Sequence, residues 1–379
     1  MTGREKIEAA LSKEGTAQIP TVICYVDIFI RDHWEALTQA PWWYLKEPNL
    51  ERQMKWRRDV REKTGLDWYE IPIDYNYTQE DRNHIVIEEQ VGRIYRIDRR
   101  TGQKEELIRP HWSDIEIDSS ANLAELPQTV ANIDRTFGLL DENRSEMSTK
   151  DGRNALSLVM LKELGRLQFP VAQLMTPLFS MFRQWGYESV MILIATRPEL
   201  MNHACNRFFE RCLQDLQEAV RLGAKGIWIE DSFTDQISPA HFESMNLGFL
   251  NRLIEEIRSL GLKSIYYYCG DPTGKWDLIT GIGADAFAFE ESKKGFTIDI
   301  EDVVDRVNGR AAVFGNLDAV HTLPYASEDR LRHEIKRQIA AGRKNNNRFV
   351  MSIGSPVTPA TPVDRVRLYV DLVHELGDV

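Results

Sequence analysis

In KSIYYYCG, residues 263–270, a run of three tyrosines ends on Cys269 just as the chain turns into Gly-Asp-Pro. GIWIED (226–231) ends on Glu230 and Asp231, DAFAFEE (285–291) on Glu290 and Glu291, and AAVFGN (311–316) on Asn316. The remaining apolar runs contribute Asp27, Asp74 with Tyr75, Met175 and Ser355, and Tyr77 stands two residues beyond Tyr75. Carboxyl groups can hold a cation or, where burial raises their pKa, donate a proton, and an amide donates hydrogen bonds at any pH. Tyr75, Tyr77 and Tyr267 suit stacking on a ring-shaped substrate, and equally suit ordinary packing. Any single acid in this set serves as well for a helix cap, as EDS at 230–232 illustrates. Collectively they say more, because burying this many carboxylates without a cation or a ligand is costly.

Cys269 has three readings. It is a small buried apolar side chain, or a nucleophile, for which no Cys–His signature stands nearby. As a metal ligand it joins a carboxylate such as Glu290 around zinc, with one position left for substrate. Five histidines (His33, His84, His111, His241 and His321) fall where they can reach the strand ends, whereas His203, His333 and His374 fall on helix faces.

Eight short apolar runs have to carry these residues, at 21–29, 66–75, 170–176, 226–231, 263–269, 285–291, 311–316 and 348–354. Each is nearly continuous in its apolar character, as parallel strands buried on both faces are, and helical patterns separate them. The alternation predicts an α/β fold, a (β/α)8 TIM barrel, whose chemistry gathers at the C-terminal strand ends. Within the tyrosine triplet, Tyr266 and Tyr268 are expected on one side of the wall and Tyr267 on the other. Residues 77–115 break the pattern, alternating polar and apolar around a Gly-containing turn like an exposed hairpin. With the polar stretch that follows, they predict an insertion at about 77–160, after the second strand and over the barrel mouth, in a single domain spanning 1–379.

Composition narrows the function. Of 379 residues, 42% are hydrophobic and 28% charged, and the net charge is −11. An acidic chain without a basic stripe is not a nucleic-acid binder. No apolar run approaches the roughly 18 residues of a membrane span. Four cysteines lack CxxC spacing, and the charged opening MTGREKIEAALSKEG has no apolar core of a leader, so reduced thiols in the cytoplasm are expected.

YYYCG, GADAFAFEE, VFGNLDAV and FVMSIGSPVTPATPVDRV resemble the uroporphyrinogen decarboxylase superfamily, and its cobalamin-dependent methyltransferase branch in particular. The opening GREKIEAALSKEGTAQIPT and the segment EDSFTDQISPAHFESM are similar to it as well. In that pattern a strand ends in His-x-Cys-Gly, a Gly-Ala-Asp strand ends in an acidic pair, and a Gly-Asn-Leu/Val-Asp motif follows. Porphyrin decarboxylases carry an Arg-rich motif after the first strand, where CYVDIFIRDHW has none. Asp74 matches their central aspartate. Thiol-methylating members bind zinc through His-x-Cys and a later Cys, and those positions read Tyr267, Cys269 and Ser355.

The resemblance therefore implies an enzyme that demethylates a small methylated compound, a methyl aryl ether. It would pass the methyl group to the cobalamin of a separate corrinoid protein. Glu230, Asn316 and Asp74 are expected to be catalytic, and Asp27, Tyr75, Tyr77, Met175, Asp231, Tyr267 and Ser355 to line the substrate site. Cys269 and Glu290 are expected to hold zinc if a metal is used, and a homodimer is open to the chain. Two alternatives stand beside this: a decarboxylase or other lyase acting on an acidic substrate, and a non-catalytic ligand-binding barrel.

Overall fold

A computed structural model describes residues 1–73, 75–111, 126–137, 149–293 and 295–377. Seven parallel strands form one curled sheet: β1 (Trp68–Glu70), β5 (Phe169–Met175), β6 (Gly226–Asp231), β7 (Lys263–Tyr268), β8 (Ala286–Phe289), β9 (Ala312–Phe314) and β10 (Phe349–Val350). Residues 20–22 close it. The Met351 N–H donates to Pro20 O at 2.8 Å, the Val22 N–H to Met351 O at 2.9 Å, and the Asp67 N–H to Thr21 O at 3.0 Å. This segment stands between β10 and β1 as the first stave, and the eightfold barrel expected from the apolar runs is complete. Helices cover its outer face, from Leu50–Thr64 to Val363–Gly377.

The expected first run, 21–29, is shorter than its apolar character suggests. Tyr25 takes a left-handed conformation (φ 53°, ψ 52°), and a helix, Val26–Asp32, begins directly after it. Asp27 is consequently an exposed residue in a first helical turn rather than a strand end.

Inside the barrel the strands are filled by large rings. Trp228 lies 4.8 Å from Tyr267, 5.5 Å from Trp68 and 5.8 Å from Phe314, centroid to centroid. Offset and edge contacts of this kind add stability beyond burial alone. The triplet alternates as expected: Tyr267 joins this inner stack, while Tyr266 and Tyr268 face the outer layer against Phe287, Phe242 and Phe289.

The insertion follows β1, as predicted, but holds three strands rather than a hairpin. β2 (Ile85–Gln90), β3 (Arg93–Asp98) and β4 (Lys104–Leu107) form an antiparallel sheet in that order. Val91 and Gly92 both have positive φ, 53° and 76°, as the tight turn between β2 and β3 requires. The segment is tied to neighbours by Arg109 to Glu35, Arg82 to Gly152 O and the Tyr77 hydroxyl to Lys46 O. Among the described residues no helix is long and apolar enough to cross a membrane.

Candidate active site

Glu230 ends β6 on the inner face and is 7% exposed. Its carboxylate accepts from the Tyr25 hydroxyl at 2.7 Å, Gln173 Nε2 at 2.6 Å and the Ser232 hydroxyl at 3.3 Å. Burial raises its pKa, and those three donors and the nearby Arg183 charge pull the other way. Cys269, just beyond β7, lies with its sulfur 3.9 Å from the Tyr25 hydroxyl. Burial, then the Glu230 charge, push this thiol well above its ordinary value, so it rests as a neutral thiol. Below them Cys24, Tyr25, Trp68, Glu70, Gln173 and Trp228 border a cavity of about 10 Å³, room for one water molecule.

A second group sits at the ends of β8 and β10. Glu290 Oε2 accepts from the Gly270 N–H at 3.1 Å, and Glu290 Oε1 lies 2.7 Å from Lys293 Nζ. Lys293 also donates to the Ser355 hydroxyl at 3.1 Å, and that hydroxyl contacts both Glu291 oxygens at 2.5 Å. Glu291 is buried, and burial raises its pKa against the Ser355 bond. Gly354 permits the approach, since a Cβ there would stand 2.2 Å from the Glu291 nitrogen.

Several expected site residues do other work. Asp231 points through the wall, fully buried, and accepts from Thr176 at 2.7 Å, Asn246 at 2.7 Å and Tyr266 at 2.5 Å. It organises the layer behind β6 and does not line a substrate site. Asn316 donates both amide hydrogens to backbone carbonyls, Ile298 at 2.9 Å and Glu290 at 3.1 Å. Nothing is left on its nitrogen for a leaving oxygen. The Tyr75 hydroxyl donates to Pro48 O, Tyr77 packs edge-on against it with centroids 5.4 Å apart, and the pair serves as packing. Tyr267 lines the interior but spends its hydroxyl on Gly354 O at 2.7 Å. Met175 ends β5, two residues past Gln173 and 38% exposed. Asp74 lies outside the described residues.

Cys269 and Glu290 thus reach one rim, but as a pair. Among the described residues no group of three or more His, Cys, Asp and Glu side chains could hold a metal ion. Among the described residues, this pair alone does not make up a zinc site. Glu291 was collected with Glu290 at its strand end, whereas Tyr25, Gln173, Ser232 and Lys293 were not expected in the site. A signal existed for Gln173, a polar residue inside the apolar run PVAQLM and in phase with the inner face, and for Lys293, two residues past the acidic pair.

Residues 174–376 match the family described as "Uroporphyrinogen decarboxylase (URO-D)". The uroporphyrinogen decarboxylase of Desulfotalea psychrophila is 27% identical over 193 residues, 51% of this chain and 53% of that protein. That of Psychromonas ingrahamii is 24% identical over 48% of this chain and 49% of its own length. The chain spans about half the length of the curated relatives it matches. A solved methyltransferase from Methanosarcina mazei superposes with a TM-score of 0.66 at 16% identity, covering 99% of both chains, and establishes the fold.

Proposed function

This chain belongs to the uroporphyrinogen decarboxylase family, and from that premise we propose that it is a methyltransferase. It takes the methyl group of a small methylated compound, a methyl aryl ether, and passes it to the cobalamin of a separate corrinoid protein. The observation that carries the reading is Glu230, a buried carboxyl at the inner end of β6 held by three donors, whose burial favours the protonated form against those bonds. Breaking an ether C–O bond requires a proton on, or a hydrogen bond to, the departing oxygen, because a phenoxide leaves poorly. Glu230 supplies that proton, and Gln173 and Tyr25 fix its direction. The corrinoid is the acceptor that takes the methyl group when the partner is docked. Ring stacking on the substrate falls to Tyr25, which is partly exposed at the edge of the inner stack and 6.0 Å from Tyr267.

Porphyrin decarboxylation is disfavoured by the segment that follows the first stave. Its Arg31 is paired with Asp32 at 2.7 Å and no cluster of arginines accompanies it in CYVDIFIRDHW. The solved methyltransferase from Methanosarcina mazei, which shares the whole fold, supports the same choice. The expected location remains the cytoplasm, in keeping with four free cysteines. The test is to mix the protein with cob(I)alamin and a panel of methoxyarenes and methylamines and to follow methylcobalamin by its absorbance. Methyl transfer from a methoxyarene is expected, and no transfer from any member would defeat the reading.

Lys293 favours a second reading. It is a cation at the rim, and a lyase acting on a carboxylated substrate needs one.

A further inference from the structure

Tyr25 combines three features that packing does not require together. It is a non-glycine residue held left-handed (φ 53°), a conformation L side chains rarely adopt and one that clusters at functional sites. Its hydroxyl reaches across the barrel from the first stave to Glu230 on β6, 2.7 Å away, and stands 3.9 Å from Cys269. Its ring meets Tyr267 edge-on at 6.0 Å and borders the small central cavity. A Tyr needed only to fill space here could keep an extended backbone and leave Glu230 to Gln173 and Ser232.

We propose that Tyr25 is a positioning residue of the reaction, whose strained backbone aims its hydroxyl so that the Glu230 carboxyl is held toward the barrel axis. Glu230 has three rotatable bonds leading to its carboxyl, and Gln173 fixes one oxygen. The other oxygen is held by Tyr25 at 2.7 Å and by the longer Ser232 contact at 3.3 Å, so the Tyr25 bond is the short one that stops the group from swinging about Gln173. Burial keeps the phenol protonated, so it stays a donor over the working pH range. The proposal rests on the methyltransferase reading for the reaction itself, but not for the geometry.

The experiment is Tyr25→Phe, which keeps the ring and removes the hydroxyl. Three quantities are measured: methyl transfer to cob(I)alamin, the melting temperature, and the crystal structures of both proteins. Turnover is expected to fall about 10- to 100-fold with KM changed by less than about threefold, the split that marks an interaction felt in the transition state. The melting temperature is expected to stay within about 2 °C, and the Glu230 carboxyl to leave its wild-type rotamer or spread over several. A carboxyl unmoved on Gln173 and Ser232 overturns the proposal. So does a melting temperature lowered by about 5 °C or more with turnover intact, since the bond would then be a clasp of the fold. If the wild type transfers no methyl group at all, the functional reading fails, and the rotamer of Glu230 still decides the role of Tyr25.

Discussion

Glu230 and Asp231 are adjacent, end the same strand, and face opposite sides of the barrel wall. Glu230 is 7% exposed and meets Tyr25 and Gln173 within the barrel, whereas Asp231 is 0% exposed and meets Thr176, Asn246 and Tyr266 behind it. The period of two in a strand separates them by geometry, and it divides their work into chemistry and architecture.

Glu230→Gln keeps the shape and can still accept two of the three bonds, but it has no proton to give. Turnover is expected to fall by about 30- to 1000-fold, equivalent to about 2–4 kcal/mol, with KM little changed. Steady-state kinetics with the best methoxyarene of the panel reads this directly. A variant with near-normal turnover would remove Glu230 from the reaction.

Asp231→Asn should change stability instead, and in a pH-dependent way. Burial lifts the Asp231 carboxyl to about 6, against its hydrogen bonds to Tyr266, Thr176 and Asn246, which lower it. Between its ordinary value near 4 and about 6 the unfolded chain is ionised there while the folded protein keeps its proton. The folded state therefore binds more protons, and this group's contribution falls as pH rises through that window. The loss is on the order of 3 kcal/mol from a shift of about two units. The melting temperature of Asp231→Asn relative to wild type is expected to climb from pH 4 to pH 6 and then level off. A difference that is flat across that range would mean the carboxyl is not buried as a neutral acid.

Much of this fold is legible in the residues themselves, and the reasons are specific. The eight apolar runs announce the staves because parallel strands buried on both faces tolerate little polarity. The alternation that sends Tyr267 inward and its neighbours outward also separates Glu230 from Asp231, so Asp231 could have been assigned to the outer layer from sequence. Asp27 could not, because nothing in CYVDIF marks Tyr25 as left-handed; the usual residues for that conformation are Gly and Asn. Side-chain targets are the least legible part. Asn316 is recognisable as a donor by type, but only the folded loop shows that the carbonyls of Glu290 and Ile298 take both its hydrogens.

Those two bonds make Asn316 a clamp between the end of β9 and the loop that carries Glu290 and Lys293. Asn316→Ala leaves two carbonyls short of a donor in a buried place, at a cost of about 1–3 kcal/mol each at most. The expected result is a lower melting temperature by several degrees and a loss of activity that follows it, restored in part on cooling. Denaturant unfolding with wild-type stability, combined with lost turnover, would return Asn316 to the role of a direct donor to substrate.

Lys293 separates the two functional readings by the charge of what enters the mouth. In the resting protein its ammonium group is shared between Glu290 at 2.7 Å and Ser355 at 3.1 Å, and its side chain is 23% exposed. A neutral methyl aryl ether has no use for that charge. A carboxylated substrate has, since it can replace Glu290 as the partner of Lys293 with no change in the number of ion pairs. Lys293→Gln is therefore to be measured on a matched pair, anisole and 4-methoxybenzoate. If the methyl ether alone is recognised, KM is expected to change by less than about threefold for both, because neither substrate then uses the Lys293 ammonium as a partner. Turnover should fall modestly and equally, as Glu290 loses its counter-ion beside Gly270. If a carboxylate is the recognised group, KM for 4-methoxybenzoate alone rises by about 10-fold or more, the cost of leaving a desolvated charge without its partner. That second pattern would make Lys293 the residue that selects carboxylated substrates, and would call for assaying the same variant for carbon dioxide release from such substrates.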